Sequence, residues 1–350
     1  MKTYIRLPKS QNLSLKPWSA VDEYMLKELE TSSFNSKSKF LVFGDRFGFL
    51  SNNLIDRGSS CYSYIISKSQ LDSIQANCVT SPHILKYGDD LPEVSHVLIK
   101  IPKSHSLLEL YLDVLLKLPN EPNLITLGFM TKYFNQGILK TLEKYFDEIE
   151  QTKAWKKSRL IKVSGQKGVP LANEISSFTT PIGQFKHYKG VFSENSIDIG
   201  TSFLLEQLNF IESGKRVLDL GSGIGVISKY LREKYDLKDI HLIDDNYLAY
   251  LSGKLNIKDA THCWDYNLEN IPKNHFDLVI SNPPFHFGHE IDFSIPMDLL
   301  RSTYKIIKPG GRLLIVANNF INYKSTLSDL FTSVKIINRN KKFYILEALK

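Results

Sequence analysis

Lys215–Gly225 reads KRVLDLGSGIG. The apolar run 215–220 fits a buried strand, and the helical pattern at 226–234 follows Gly221-Ser222-Gly223-Ile224-Gly225 at once. Strand, glycine turn, helix is the opening of a nucleotide-binding βαβ unit, because glycines let the backbone turn tightly and approach a ligand closely. A glycine loop alone is a weak signal. Here the next strand, 240–243, ends in Asp244, 23 residues after Gly221. That is close to the ~20 expected for a carboxylate that accepts ribose hydroxyls. The spacing is GxGxG, without the later glycine that dinucleotide sites prefer.

Further on, Asp277–His286 reads DLVISNPPFH. The apolar residues fit a buried strand, which Pro283 and Pro284 stop because proline cannot donate to a sheet ladder. The residue before a proline is pushed to extended geometry, so Asn282 is held at the strand tip. Asn282 and the Pro283 carbonyl suit gripping a planar amino group by its two hydrogens, with Phe285 stacking behind. Alone, the same stretch reads equally well as a Pro-rich turn with a buried Asn.

Around these two stretches a parallel sheet takes shape. The strand at 261–264 ends in Asp265, which either accepts an amino group of a bound base or simply forms a turn. A helix is predicted over 295–307, closed by Pro309-Gly310-Gly311, and strands over 312–316, 333–337 and 343–348, the last two as a hairpin. Upstream, Asp198-Ile199-Gly200-Thr201 precedes an apolar helical pattern, where Thr201 caps the helix or faces a ligand.

The first half alternates strand and helix in the same way: strands at 39–43, 61–66, 94–101 and 123–128, helices at 17–30, 105–118 and 135–149. It reads as a worn copy of the second half. Its turn, Gly44-Asp45-Arg46-Phe47-Gly48, puts Arg46 and Phe47 where small residues belong, and its strand 94–101 ends in Pro102-Lys103 in place of Asn-Pro-Pro. The expected division is 1–170, a linker at 171–186 rich in Gly, Pro, Ser and Thr, and 187–350.

At 350 residues the chain is too long for one ordinary core. No run reaches the ~18 apolar residues of a membrane span. The start, MKTYIRLPKS, lacks the apolar stretch of a signal peptide. Cys61, Cys78 and Cys263 are scattered and form no CxxC pair, which argues against disulfides or a zinc site and for the cytoplasm. Net charge is +7, with the excess concentrated in 151–190 (8 basic, 1 acidic) and 301–350 (10 basic, 2 acidic). Flanking an acidic stretch, these segments suit a polyanionic partner, or are solvated faces. In QTKAWKKSRLIKVSGQK (151–167), Lys153, Lys157 and Arg159 fall on one side if the segment is extended, and Trp155 among lysines suits stacking on bases. A lysine-protected edge strand is the alternative.

Together DLGSGIG, the acidic strand end at Asp244 and NPPF resemble the S-adenosylmethionine-dependent amino methyltransferases. GVFSENSIDIG, SNPPFHFG and VANNFINY, with FGDRFGFLS and VLIKIPKSHSLLEL in the first half, resemble the bacterial ribosomal RNA guanine-N2 methyltransferases over nearly the whole chain. PWSAVDEYMLKEL and AWKKSRLIKV favour the large-subunit (23S) branch over the small-subunit (16S) branch. The resemblance implies two tandem Rossmann-like methyltransferase domains, the first degenerate and RNA-positioning, the second a seven-stranded sheet that binds S-adenosyl-L-methionine. It implies that Gly221, Ser222, Gly223, Gly225, Asp244, Asp265, Gly200 and Thr201 surround the cofactor and that Asn282, Pro283, Pro284 and Phe285 hold the guanine amine. Lys153, Lys156, Lys157 and Arg159 would contact ribosomal RNA, with no metal, and the enzyme would act as a cytoplasmic monomer. The same Asn-Pro-Pro pocket can hold a protein glutamine amide or a DNA adenine amine, and a binder of RNA that has lost catalysis is the non-enzymatic reading.

Overall fold

The computed structural model describes residues 3–30, 37–168, 173–208, 212, 214–235, 237–283, 286, 287 and 290–350. The chain divides into two compact units, 1–9 with 13–174 and 10–12 with 175–350. In the first, seven strands form one sheet: β1 (Lys39–Phe43), β2 (Ser60–Tyr64), β3 (His83–Leu85), β4 (His96–Lys100), β5 (Leu124–Met130), β6 (Phe146–Gln151) and β7 (Ser158–Gln166). Helices α1 (Ala20–Glu30), α2 (Phe49–Asp56), α3 (Lys68–Asn77), α4 (His105–Leu116) and α5 (Gln136–Tyr145) belong to the same unit.

The second unit begins with a hairpin, β8 (Ile175–Thr180) and β9 (Gly183–Tyr188), and α6 (Ile199–Glu206). Then come β10 (Val217–Leu220), α7 (Val226–Tyr235), β11 (Ile240–Asp244), α8 (Tyr247–Asn256), β12 (Thr261–Trp264) and β13 (Phe276–Ser281). A short pair, β14 (His286–Phe287) and β15 (Glu290–Ile291), leads to α9 (Ser294–Ile306), β16 (Ile307–Asn318), α10 (Tyr323–Ser328), β17 (Ser333–Arg339) and β18 (Phe343–Leu349).

The two sheets have the same topology. The first runs β3-β2-β1-β4-β5-β7-β6, the second β12-β11-β10-β13-β16-β18-β17. In each, the first five strands are parallel, and the sixth, β7 or β18, runs antiparallel to both its neighbours. Strands such as VLDL and FDLVIS are apolar without alternation because helices cover both faces of a parallel sheet. Val217, Val279, Ile280, Leu313, Ile315, Ile345 and Leu346 are fully buried. Each such side chain contributes about 1.5–3 kcal/mol. In both sheets the strand order reverses beside the first strand, between β1 and β4 and between β10 and β13. Open sheets bind ligands at the carboxyl ends beside such a reversal.

Three segments differ from the sequence reading. The helix expected over 135–149 ends at Tyr145, and 146–151 is β6, in which Phe146 is buried and Ile149 half-buried among charged residues. The basic segment is not one extended strand. Residues 155–158 form a turn in which Lys156 and Lys157 take left-handed φ of 45° and 61°, and β7 starts only at Ser158. The expected linker 171–186 is, in its described part, largely the β8–β9 hairpin of the second unit. Phe185 is fully buried there, and Lys229 Nζ donates to the Gln184 carbonyl at 2.7 Å.

The first unit packs its crevice with its own side chains. Ile101 follows β4 where Asn282 follows β13, and it is buried. The Lys100 ammonium lies 2.8 Å from the fully buried Asp22 carboxylate. Phe47 is buried in the turn after β1, with the guanidinium carbons of Arg6 and Arg46 at 4.6 and 5.0 Å from its ring centre. Asp45, buried in the same turn, accepts from the Ser51 amide and hydroxyl, both at 2.7 Å, and burial raises its carboxyl above the usual range. Ser51→Ala leaves that carboxyl with one donor fewer in a site water does not reach. The variant is expected to lose about 1–3 kcal/mol of stability in urea unfolding, and an unchanged midpoint would contradict this role for Ser51.

Candidate active site

The turn after β10 is tied to the end of β11. Gly221 and Ser222 amides both donate to the Ile243 carbonyl, at 2.9 and 3.1 Å, and the Gly223 amide donates to Asp244 Oδ2 at 2.7 Å. Gly221, Gly223 and Gly225 all have positive φ, of 70°, 55° and 86°. They differ in what lies above them. A Cβ at Gly223 would meet nothing within 4 Å, which is room for a ligand against bare backbone. A Cβ at Gly225 would fall 2.6 Å from Ile257 Cδ1, so this glycine serves packing of α7 against the β11–α8 region, not ligand approach.

Asp244 is half-buried, its Oδ1 accepting from the Asn246 amide at 2.8 Å. Burial pushes its carboxyl up to about 6, with the Asn246 and Gly223 amides opposing and the charge of Asp245 adding. Each oxygen keeps lone pairs for a diol. Beneath it Asp219 is fully buried. Its Oδ2 accepts from Ser228 Oγ at 2.7 Å and the Ser228 amide at 3.1 Å, and its Oδ1 has no hydrogen-bond partner among the described residues. Burial pushes this carboxyl up to about 7. Asp265 stands at the end of β12, where its amide donates to the Asp244 carbonyl at 3.1 Å and its Oδ1 accepts from Tyr266 and Asn267 amides at 2.7 and 3.3 Å. That Oδ1 therefore forms the turn the sequence allowed for, beside Asp244.

Across the crevice, Ser281 pairs with Leu220 and donates to its carbonyl at 2.7 Å, fixing the end of β13 against β10. Asn282 follows. Its Nδ2 donates to Asp198 Oδ2 at 3.0 Å and to Thr201 Oγ1 at 2.9 Å. Both amide hydrogens are spent on α6, and the free function of the side chain is its acceptor, Oδ1. Asp198, not Thr201, caps α6: the same Oδ2 accepts from the Gly200 and Thr201 amides at 2.9 and 3.2 Å. A Cβ at Gly200 would meet that oxygen at 2.9 Å. Pro283 is buried, and Pro284 and Phe285 lie outside the described residues.

The sequence reading missed Asp198 and Asn256. Asn256 Nδ2 donates to the Ile224 and Lys186 carbonyls, both at 2.8 Å, and so ties the glycine turn to β9. An Asp ahead of a helix is a cap signal, but its partner 84 residues away is not visible in a linear string.

In the first unit, Lys153, Lys156 and Lys157 lie in the segment before β7 and Arg159 in β7 itself. The Lys157 carbonyl accepts from the Thr131 amide at 2.9 Å, next to Lys132, whose ammonium lies 4.5 Å over Tyr133. Lys156 pairs with Glu23 at 2.9 Å and holds that carboxyl below its usual range. Arg159 reaches Gln151 Oε1 at 3.4 Å, and the Lys153 carbonyl accepts from Tyr24. Trp155 is already flanked by Lys156 at 4.4 Å and Lys27 at 5.2 Å, with Tyr24 at 5.5 Å. Its ring is therefore engaged within the unit. Among the described residues no group of three or more His, Cys, Asp or Glu is placed to hold a metal ion, and no helix is long and apolar enough to cross a membrane.

Two family models match the chain, the RLMG N-terminal domain over residues 2–167 and the methyltransferase small domain over 183–347. Ribosomal RNA large subunit methyltransferase G of Yersinia pestis (strain Pestoides F) is 31% identical over 98% of this chain and 90% of its own length. The Yersinia enterocolitica protein of that name is 30% identical over the same shares. Among solved structures, the T. thermophilus 16S rRNA N2 guanine methyltransferase RsmC, in complex with AdoMet and guanosine, superposes with a TM-score of 0.81. It is 18% identical and covers 98% of this chain and 94% of that one, a likeness of fold.

The contrast between the glycines is testable by calorimetry. Both Gly223→Ala and Gly225→Ala strain a left-handed position, at about 1–3 kcal/mol, but only the second also adds a clash with Ile257. Gly225→Ala is expected to lower the melting temperature more than Gly223→Ala, and the reverse order would contradict the assignment.

Proposed function

Because the chain belongs to the ribosomal RNA large subunit methyltransferase G family, we propose that it transfers a methyl group from S-adenosyl-L-methionine to the exocyclic N2 amine of a guanine in 23S rRNA. The observation that carries this is the state of Asn282. With both its hydrogens given to Asp198 and Thr201, it offers an acceptor, as a donor amine requires, at the edge of the crevice between β10 and β13.

The residues present fit the cofactor. Open space over Gly223 accepts the body of the nucleoside against bare backbone, and Asp244 at the end of β11 accepts its ribose hydroxyls. Asp265, one strand further out, stands beside the position of the base. When bound, S-adenosyl-L-methionine supplies an activated methyl group on a sulfonium. The chain's part is then alignment and electrostatics. The guanine amine is a poor nucleophile because its lone pair delocalises into the ring. Asn282 Oδ1 and the Pro283 carbonyl accept its hydrogens, draw the nitrogen toward tetrahedral geometry and stabilise the positive charge that grows on it. The family resemblance assigns stacking on the base to Phe285, which lies outside the described residues. The proton leaves after transfer, so no strong general base is needed. A paired guanine must first be splayed out. Lys153, Lys157 and Arg159, with Lys156, support a role of the first unit in holding the RNA backbone.

Transfer of a labelled methyl group to unmodified 23S and 16S rRNA, followed by nucleoside analysis, tests the reading. The expected product is N2-methylguanosine in 23S rRNA, lost in Asn282→Ala. The same product in 16S alone would move the target to the small subunit, and transfer only to a protein glutamine would replace RNA as the substrate. A second measurement follows from Asp244. Its carboxyl ionises at about 6, and ribose hydroxyls donate to the ionised form, so cofactor affinity is full at pH 8 and falls as pH drops through 6. At pH 5 calorimetric titration should show clearly weaker binding than at pH 8, because the acceptor carboxyl is then largely protonated. Asp244→Asn should bind weakly at both values, and a wild-type affinity flat between pH 8 and 5 would contradict the ribose role.

A further inference from the structure

We infer that Asp198 is a positioning residue that makes Asn282 an acceptor of methyl-accepting amines, with Thr201 completing the brace; this rests on the reading of Asn282 above. A primary amide has two faces of opposite character, and left alone it can present either N–H or carbonyl to a ligand. In this chain the choice is made from behind. Asp198 Oδ2 takes one Asn282 hydrogen at 3.0 Å and Thr201 Oγ1 takes the other at 2.9 Å. Rotating the amide by half a turn would set its oxygen against the carboxylate, acceptor against acceptor. Asp198 is itself fixed, because the same oxygen accepts from the Gly200 and Thr201 amides at 2.9 and 3.2 Å. Gly200 keeps the place of that oxygen clear, since a Cβ there would meet it at 2.9 Å. Thr201 is buried.

The brace also acts electrically. A hydrogen bond from an amide to a carboxylate polarises the amide and makes its oxygen a stronger acceptor. In the proposed transfer the nitrogen becomes positive as the methyl group arrives, and Asn282 Oδ1 faces that charge. Asp198 thus contributes more to the transition state than to the bound substrate, which is a signature in kcat and not in KM. The nitrogen forms its new bond to the methyl carbon while the carbon–sulfur bond breaks and its electron pair stays on sulfur. Asp198 takes no proton and forms no bond in this step.

Asp198→Asn isolates the effect. Asn caps a helix as well as Asp does, so α6 keeps its start while the charge behind Asn282 is gone. Steady-state methylation of unmodified 23S rRNA is expected to show kcat lower by about 10- to 100-fold with rRNA KM, cofactor affinity and melting temperature near wild type. Thr201→Val should lower kcat in the same way, and Thr201→Ser, which keeps the hydroxyl, should restore it. Wild-type kcat in both Asp198→Asn and Thr201→Val, with Asn282→Ala inactive, would overturn the inference and leave the function standing. So would a variant whose melting temperature and cofactor affinity fall while kcat holds. Full activity of Asn282→Ala would instead overturn the reading of Asn282 on which the inference rests.

Discussion

Everything at the candidate site depends on one constraint of open parallel sheets. Where the strand order reverses, the connections after two neighbouring strands run to opposite faces, and a gap opens at their carboxyl ends. In the second unit that gap lies between β10 and β13. The glycine turn closes one side of it and Asn282 the other, with the Ser281 hydroxyl on the Leu220 carbonyl holding the two strand ends together. Asp244 belongs to the same arrangement, since its carboxylate grips the Gly223 amide. The turn is therefore held by the chain's own groups, at the expense of a half-buried carboxylate that would rather be neutral at mildly acid pH.

The first unit obeys the same constraint with other chemistry. Its sheet has the same order and the same reversal, between β1 and β4. At the corresponding places stand Phe47, Arg46, Ile101 and Lys100, and the last is engaged by a buried Asp22. Residues near the start of the chain add to the plug: Arg6 lies over Phe47, and the Ile5 amide donates to Asn77 Oδ1 at 2.6 Å. One architecture thus carries two interiors. In one, backbone is left bare for a ligand; in the other, side chains fill the gap and the fold remains as a scaffold.

Much of this was legible in the linear string, for identifiable reasons. KRVLDLGSGIG and DLVISNPPFH combine an apolar run with punctuation that permits little else, so the strands, the turn and the position of Asn282 followed. Segments whose structure rests on distant partners did not. The β8–β9 hairpin is short, polar and rich in Ser and Thr, and it joins a core through buried Phe185 and His187 and the bonds to α7 and α8. FDEIEQ follows a run of helical spacing, and the edge of the sheet, not local propensity, turns it into a strand. Asp198 looks like an ordinary helix cap, and its bond to Asn282 reaches across 84 residues, just under half of the second unit's length. Gly225 shares a motif with Gly223 yet answers to Ile257 behind it.

The closing strands carry a consequence for biosynthesis. In each sheet the strand that pairs with the parallel core, β7 or β18, is made after the strand that ends up outermost, β6 or β17. As the chain leaves the ribosome, β5 and later β16 emerge with an edge that has no correct neighbour until the final strand follows. β16 then gains β18 along seven residue pairs, from Arg312 with Leu349 to Asn318 with Phe343. Until that moment an apolar strand edge, open along its length, is available to any other nascent chain, and truncation within 343–349 would make the exposure permanent. Vectorial synthesis therefore places the last strand made of each sheet in the role of a seal.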